Sequence, residues 1–141
     1  MNSRPSAAHA HRQLHQTIGR QGIERAVSLF YERIRTHPAL GPYFEQVRDW
    51  DELKQRIGHF WWLDLGGERY REDVYNPHAV HRHLQIPPAL VDDWLELFSD
   101  TLHACLDEKQ AATWFERAKK MAEWVRIELE KQADQEPPAL S

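Results

Sequence analysis

Residues 21–35 read QGIERAVSLFYERIR, and the spacing within them settles the kind of fold. Ile23, Ala26, Val27, Phe30, Tyr31 and Ile34 recur three or four apart, while Glu24, Arg25, Glu32 and Arg33 fall on the other side, which is the pattern of an amphipathic helix. Pro38, Gly41 and Pro42 then interrupt it, so PALGPYF at 38–44 reads as a turn or short 3₁₀ segment that delivers Phe44 inward. Asp49 or Asp51 caps a second helix running to about residue 65, with Leu53, Ile57, Phe60, Trp61 and Leu65 on its apolar face and Gly66-Gly67 as its stop. Leu90, Val91, Trp94, Leu95, Phe98, Thr101, Leu102 and Cys105 mark a third helix. Ala111, Trp114, Phe115, Ala118, Met121, Ala122 and Val125 mark a fourth, ending near Lys131. No strand-like alternation lasts more than a few residues, and the predicted fold class is all-α.

With 141 residues and 16.7 kDa, the chain fits a single domain over residues 13–131, and residues 1–12 and 132–141 read as flexible tails. A net charge of −4 and a pI near 6.1 exclude the basic footprint of a nucleic-acid or anionic-lipid binder. The first residues lack an apolar signal core, and no window approaches the roughly 18 apolar residues of a membrane span. A cytoplasmic protein is expected, in keeping with the single Cys105, whose setting among Leu102, Ala104 and Leu106 reads as that of a small buried hydrophobe.

What that composition does not explain is the presence of 6 Trp and 9 His, residue types that call for partners or a ligand. Residues 68–88 are the least regular stretch, a loop holding at most a short helix, and a segment of this length needs something beneath it to anchor on. It carries His78, His81 and His83, the candidates for metal ligation. A zinc or nickel site shared by the three lacks a well-placed acidic or thiolate fourth ligand. One imidazole suffices to hold a haem iron, with apolar walls around a flat cavity and one or two hydrogen-bond donors opposite. His9, His11 and His15 belong to the N-terminal tail or its edge, His37 to a turn, and His59 to a helix surface. No Ser-His-Asp, Cys-His or glycine-rich phosphate signature points to hydrolase chemistry.

FYERIR at 30–35, HPALGPYF at 37–44, Trp50 with IGHFW at 57–61, and WLELF at 94–98, in that order over about residues 20–125, resemble the truncated haemoglobins, most nearly those of group III. The resemblance implies a truncated globin fold, a two-over-two helical sandwich around haem b (iron protoporphyrin IX). It places the distal tyrosine of the family on Tyr31, its aromatic wedge on Phe44 and its distal tryptophan on Trp94, with Phe30, Leu53, Ile57, Phe60 and Trp61 in the haem pocket. The family's proximal ligand falls on His81, four residues after Pro77 and thirteen before Trp94. His83 is the alternate, because HLQIPP at 83–88 matches a family variant once gaps are allowed. Arg56 is placed to reach a haem propionate from the rim, as is Lys54 less directly. Leu53 departs from the pattern, since many relatives carry a distal histidine there and leucine neither donates nor ligates. Trp50, Trp61, Trp62, Trp114 and Trp124 read mostly as core or rim aromatics.

The implied function is binding of O2, and of NO, CO, peroxide or sulfide, at a His-ligated iron, with NO dioxygenation or detoxification supported by an unidentified reductase. Peroxidase-like detoxification is the alternative, against which the leucine at 53 counts for want of an acid-base side chain. A gas sensor is the other, and 141 residues leave no room for an output domain. A monomer or weak dimer is expected.

Overall fold

The computed structural model describes residues 7–77 and 86–135. Its four α-helices are α1 (Leu14–Arg35), α2 (Trp50–Asp64), α3 (Leu90–Cys105) and α4 (Glu108–Gln135), with no strand among the described residues. Helix α1 packs chiefly on α2, and α3 on α4, while α1 crosses both α3 and α4 to join the two pairs. This is the all-α architecture expected.

Differences at the ends have local causes. Helix α1 begins well before residue 21 because a first segment from Leu14 joins the main helix across a kink at Gly19, whose φ of +80° suits glycine. Ahead of it, Ala7–Gln13 forms a 3₁₀ helix within the stretch expected as a tail. His11 is buried there, and His15 Nδ1 lies 2.7 Å from the Arg12 carbonyl and 3.0 Å from that of Leu65, so His15 ties the entry segment to the end of α2. That end is shaped for it. Gly66 has φ of +104°, and a Cβ there would sit 1.9 Å from the Arg12 carbonyl oxygen. Helix α4 continues to Gln135, beyond the stop predicted near Lys131.

Helix α2 starts where one of the two aspartates permits: Asp49 Oδ1 accepts from the Glu52 N–H at 3.0 Å. The short 3₁₀ segment is Gly41–Phe44, and His37, in its turn as expected, accepts through Nδ1 from the Ala39 and Leu40 N–H groups at 3.1 Å each. The core between the helix pairs is aromatic. Phe98 stacks on Trp94 at 4.9 Å and on Trp61 at 5.6 Å, and Phe30 and Trp114 meet Phe98 edge-on at 4.9 and 5.8 Å. Arg117 grips Asp64 with two hydrogen bonds of 3.0 and 2.8 Å, tying α4 to α2.

Three burial expectations are corrected. His59 is fully buried, because the chain after α2 folds back over it; Cys105, at the last turn of α3, is exposed; Trp124 is 65% exposed on the outer side of α4.

Trp114 is fully buried, yet its indole Nε1 has no hydrogen-bond partner among the described residues. Urea unfolding should therefore show Trp114→Ala losing about 3–5 kcal/mol to the cavity. Trp114→Phe should lose distinctly less, because it also removes an unsatisfied donor. Equal losses in the two variants would show that the indole N–H is satisfied.

Candidate functional site

A cavity of about 600 Å³ opens between the helix pairs. Helix α1 contributes Tyr31, the 3₁₀ turn Phe44, α2 Leu53, Ile57, Phe60 and Trp61, and α3 Trp94. Seven of the side chains singled out in the sequence thus share one wall system. Phe30 does not line the cavity; it is buried directly behind, edge-on to Tyr31 at 5.1 Å and to Trp94 at 5.4 Å, and so sets the attitude of both rings. Phe44 is held in turn by Trp50, stacked at 6.0 Å, with the Arg35 guanidinium 4.8 Å from the Trp50 ring.

Sequence reasoning missed the far wall. Met121, Ala122, Val125 and Leu129 of α4 line the cavity, with Leu90, Val91 and Ile86 beside them. The first three had been read only as the apolar face of a helix, and periodicity does not distinguish a face packed on a neighbour from one packed on a cavity. Tyr75 was missed as well, since it sits in the irregular stretch without a periodic signal, and it reaches the cavity beside Phe60, edge-on at 5.9 Å.

The polar groups on these walls are few. Tyr31 is buried, and neither its hydroxyl nor the Trp94 indole N–H has a hydrogen-bond partner among the described residues. Burial pushes the Tyr31 phenol well above the usual range, and Tyr75 close by adds to the effect. The Tyr75 phenol is pushed up to about 12 by burial, with Arg56 opposing. Both therefore remain neutral donors at physiological pH. Arg56 lies at the rim, 6.0 Å above the Tyr75 ring, where its Nε pairs with Asp73 Oδ2 at 3.2 Å without hydrogen-bond alignment. Asp73 also receives Arg71, which reaches on to Glu52, so the rim cation is already paired. Lys54 is bound to Glu32.

His78, His81 and His83 lie outside the described residues. Tyr75 and Ile86 both stand on the cavity wall. The volume falls within the roughly 300–1,000 Å³ of small-molecule and cofactor sites. Largely apolar walls, with the Tyr31 and Trp94 side chains among them lacking a hydrogen-bond partner among the described residues, fit a flat apolar prosthetic group. No group of three or more His, Cys, Asp or Glu among the described residues is arranged to hold a bare metal ion.

Fold and cavity together define a haem-binding globin. Residues 13–127 match the bacterial-like globin family, and the chain belongs to it. It is similar to the group 3 truncated hemoglobin ctb of Campylobacter jejuni, at 30% identity over 76% of this chain and 87% of that protein. It is also similar to the group 2 truncated hemoglobin YjbI of Bacillus subtilis, at 32% identity over 62% and 67%. The crystal structure of the group III truncated hemoglobin from Campylobacter jejuni superposes with a TM-score of 0.74, covering 81% of this chain and 93% of that one. The likeness to group III read from the residues therefore holds. Members of this family bind haem b and, with it, O2 and other small gaseous ligands. No helix among the described residues is long and apolar enough to cross a membrane.

An ultraviolet titration should find three phenols, Tyr31, Tyr70 and Tyr75, that ionise only above the ordinary tyrosine range near 10. Tyr31→Phe should remove one of these late-ionising phenols, and a variant whose titration curve kept its full late phase would show that Tyr31 is not shielded from water.

Proposed function

We propose that this globin binds and retains O2 through the paired donors Tyr31 and Trp94, with His81 as the proximal ligand and His83 as its alternate. The observation that supports the reading is that Tyr31 and Trp94 both line one largely apolar cavity, with no hydrogen-bond partner for either side chain among the described residues. Haem, when bound, supplies a ferrous iron that takes a diatomic gas and pushes electron density onto it. Tyr31 donates its O–H, and Trp94 its N–H, to a ligand that has gained negative character, each worth about 1.5–3 kcal/mol where the bond is charge-assisted. Leu53, Ile57 and Phe60 exclude water from the same space, which strengthens both hydrogen bonds. Phe44 would pack against the bound group from the cavity wall, and Arg56, now paired with Asp73, would be the residue to hold a propionate.

Retention of O2 favours its use over its delivery, and oxidation of NO to nitrate in the cytoplasm, with a separate reductase returning the iron to the ferrous state, is the reaction we assign. A peroxidase role has less support, because no side chain at position 53 is equipped to move a proton. The protein works as a monomer or weak dimer.

The purified chain should take up hemin with a Soret band. Tyr31→Phe should release O2 roughly 10- to 100-fold faster in stopped-flow displacement. An unchanged or slower rate would remove Tyr31 from the donor role. Of His81→Ala and His83→Ala, only the former should lose the five-coordinate ferrous spectrum; the opposite result reassigns the ligand to His83.

A further inference from the structure

Helix α2 carries a second imidazole that the proposed chemistry does not use. His59 follows the cavity residue Ile57 by two positions, does not line the cavity, and is fully buried. Its Nε2 accepts the backbone N–H of Tyr70 at 3.2 Å. The ring proton is thus on Nδ1 and the imidazole is neutral. That Nδ1 is buried without a partner, so the hydrogen bond to Tyr70 is the one polar contact His59 makes among the described residues. The Tyr70 ring lies edge-on to it at 4.4 Å, and the Arg20 guanidinium covers the Tyr70 ring at 3.6 Å.

The charges facing this imidazole are mostly of one sign. Arg69 and Arg71 approach from the segment after α2 and Arg20 from α1, with Asp73 as the opposing anion and Glu24 engaged by Arg20. The segment pinned at Tyr70 continues through Asp73, the partner of Arg56, to Tyr75 in the cavity wall, and then into residues 78–85.

Resting on the haem-pocket reading of that cavity, we infer that His59 is a positioning residue whose neutral imidazole pins the Tyr70–Tyr75 segment as a wall of the pocket, and that its protonation releases the wall. A protonated ring no longer accepts from Tyr70, and it places a buried cation among three arginines. Burial, then Arg71 and Arg69, hold the His59 pKa below its ordinary value, with Asp73 opposing. The unfolded or released segment binds the proton more readily than the pinned one. The hold is therefore complete above the ordinary histidine range and is lost as the pH falls through it toward the lowered value.

The test follows two quantities in the haem-loaded protein between about pH 7.5 and about pH 5: hydrogen exchange at the Tyr70 amide, corrected for its intrinsic rate, and haem transfer to an excess of an acceptor apoglobin. Both should rise roughly tenfold or more in the wild type on acidification. His59→Gln, whose side-chain oxygen accepts the same N–H but takes no proton, should keep the neutral-pH values and lack that extra rise. Acid release through the proximal ligand is common to both proteins and cancels in the comparison. Identical pH profiles, or a Tyr70 amide equally protected at both ends, would overturn the inference. Should His59→Gln not fold, an NMR titration of the wild type decides. His59 must stay in the Nδ1–H form into the acid range and the Tyr70 amide must shift with it; a titration that leaves the amide unmoved overturns the role. A chain that takes up no hemin sinks the haem reading, while Tyr70 exchange still reports on His59 by itself.

Discussion

Phe98 lies between two indoles, Trp94 on one side and Trp61 on the other, and the cavity depends on that stack. A protein interior ordinarily closes over any void, because unfilled space forfeits dispersion contacts along its whole lining. Holding about 600 Å³ open therefore needs walls that are rigid before the cavity is filled. Planar side chains stacked face to face have few rotamers to change and lose much contact area if they slip. Here the stack links α2 to α3, Trp114 braces it from α4, and Phe30 closes it from α1. Three of the six tryptophans noted in the composition, Trp61, Trp94 and Trp114, belong to this frame.

How far the sequence reveals the fold follows from what each signal measures. The helices are plain in it because burial on one side leaves a 3.6-residue period, as at Ile23 to Ile34 and at Leu90 to Cys105. Their ends are less so. Leu14 to Ile18 belongs to α1 only because the kink at Gly19 redirects the chain, and the start of that helix is held by His15, whose partner Leu65 lies 50 residues on. Such contacts leave no local trace. Cys105 misleads for the reverse reason: apolar neighbours in sequence do not bury a residue in the last turn of a helix, where one more step of rotation faces water.

The site divides in the same way. Tyr31, Phe44 and Trp94 stand out through the ordered resemblance to a family, and the cavity unites them. Tyr75 and the α4 residues Met121 and Leu129 carry no comparable mark, since the first lies in an irregular loop and the others fill ordinary helix-face positions. His59 reads as a surface residue between Gly58 and Phe60 until the chain is seen to return over it, eleven residues later, with the Tyr70 N–H as donor.

The placement of titratable groups then has a consequence for pH. The donors assigned to the ligand, Tyr31 and Trp94, are a phenol held well above its ordinary range and an indole that does not titrate, while position 53 on the same wall is a leucine and the second phenol there, Tyr75, is itself pushed up to about 12. Between pH 5 and 8 neither donor changes charge, so the hydrogen bonds offered to a ligand are constant there. The buried imidazole stands instead behind the wall, at His59, where protonation costs a backbone hydrogen bond of the loop and no donor to the ligand. Acidity reaches this cavity through the position of its Tyr70–Tyr75 wall, and the polarity of its interior stays as the two donors set it.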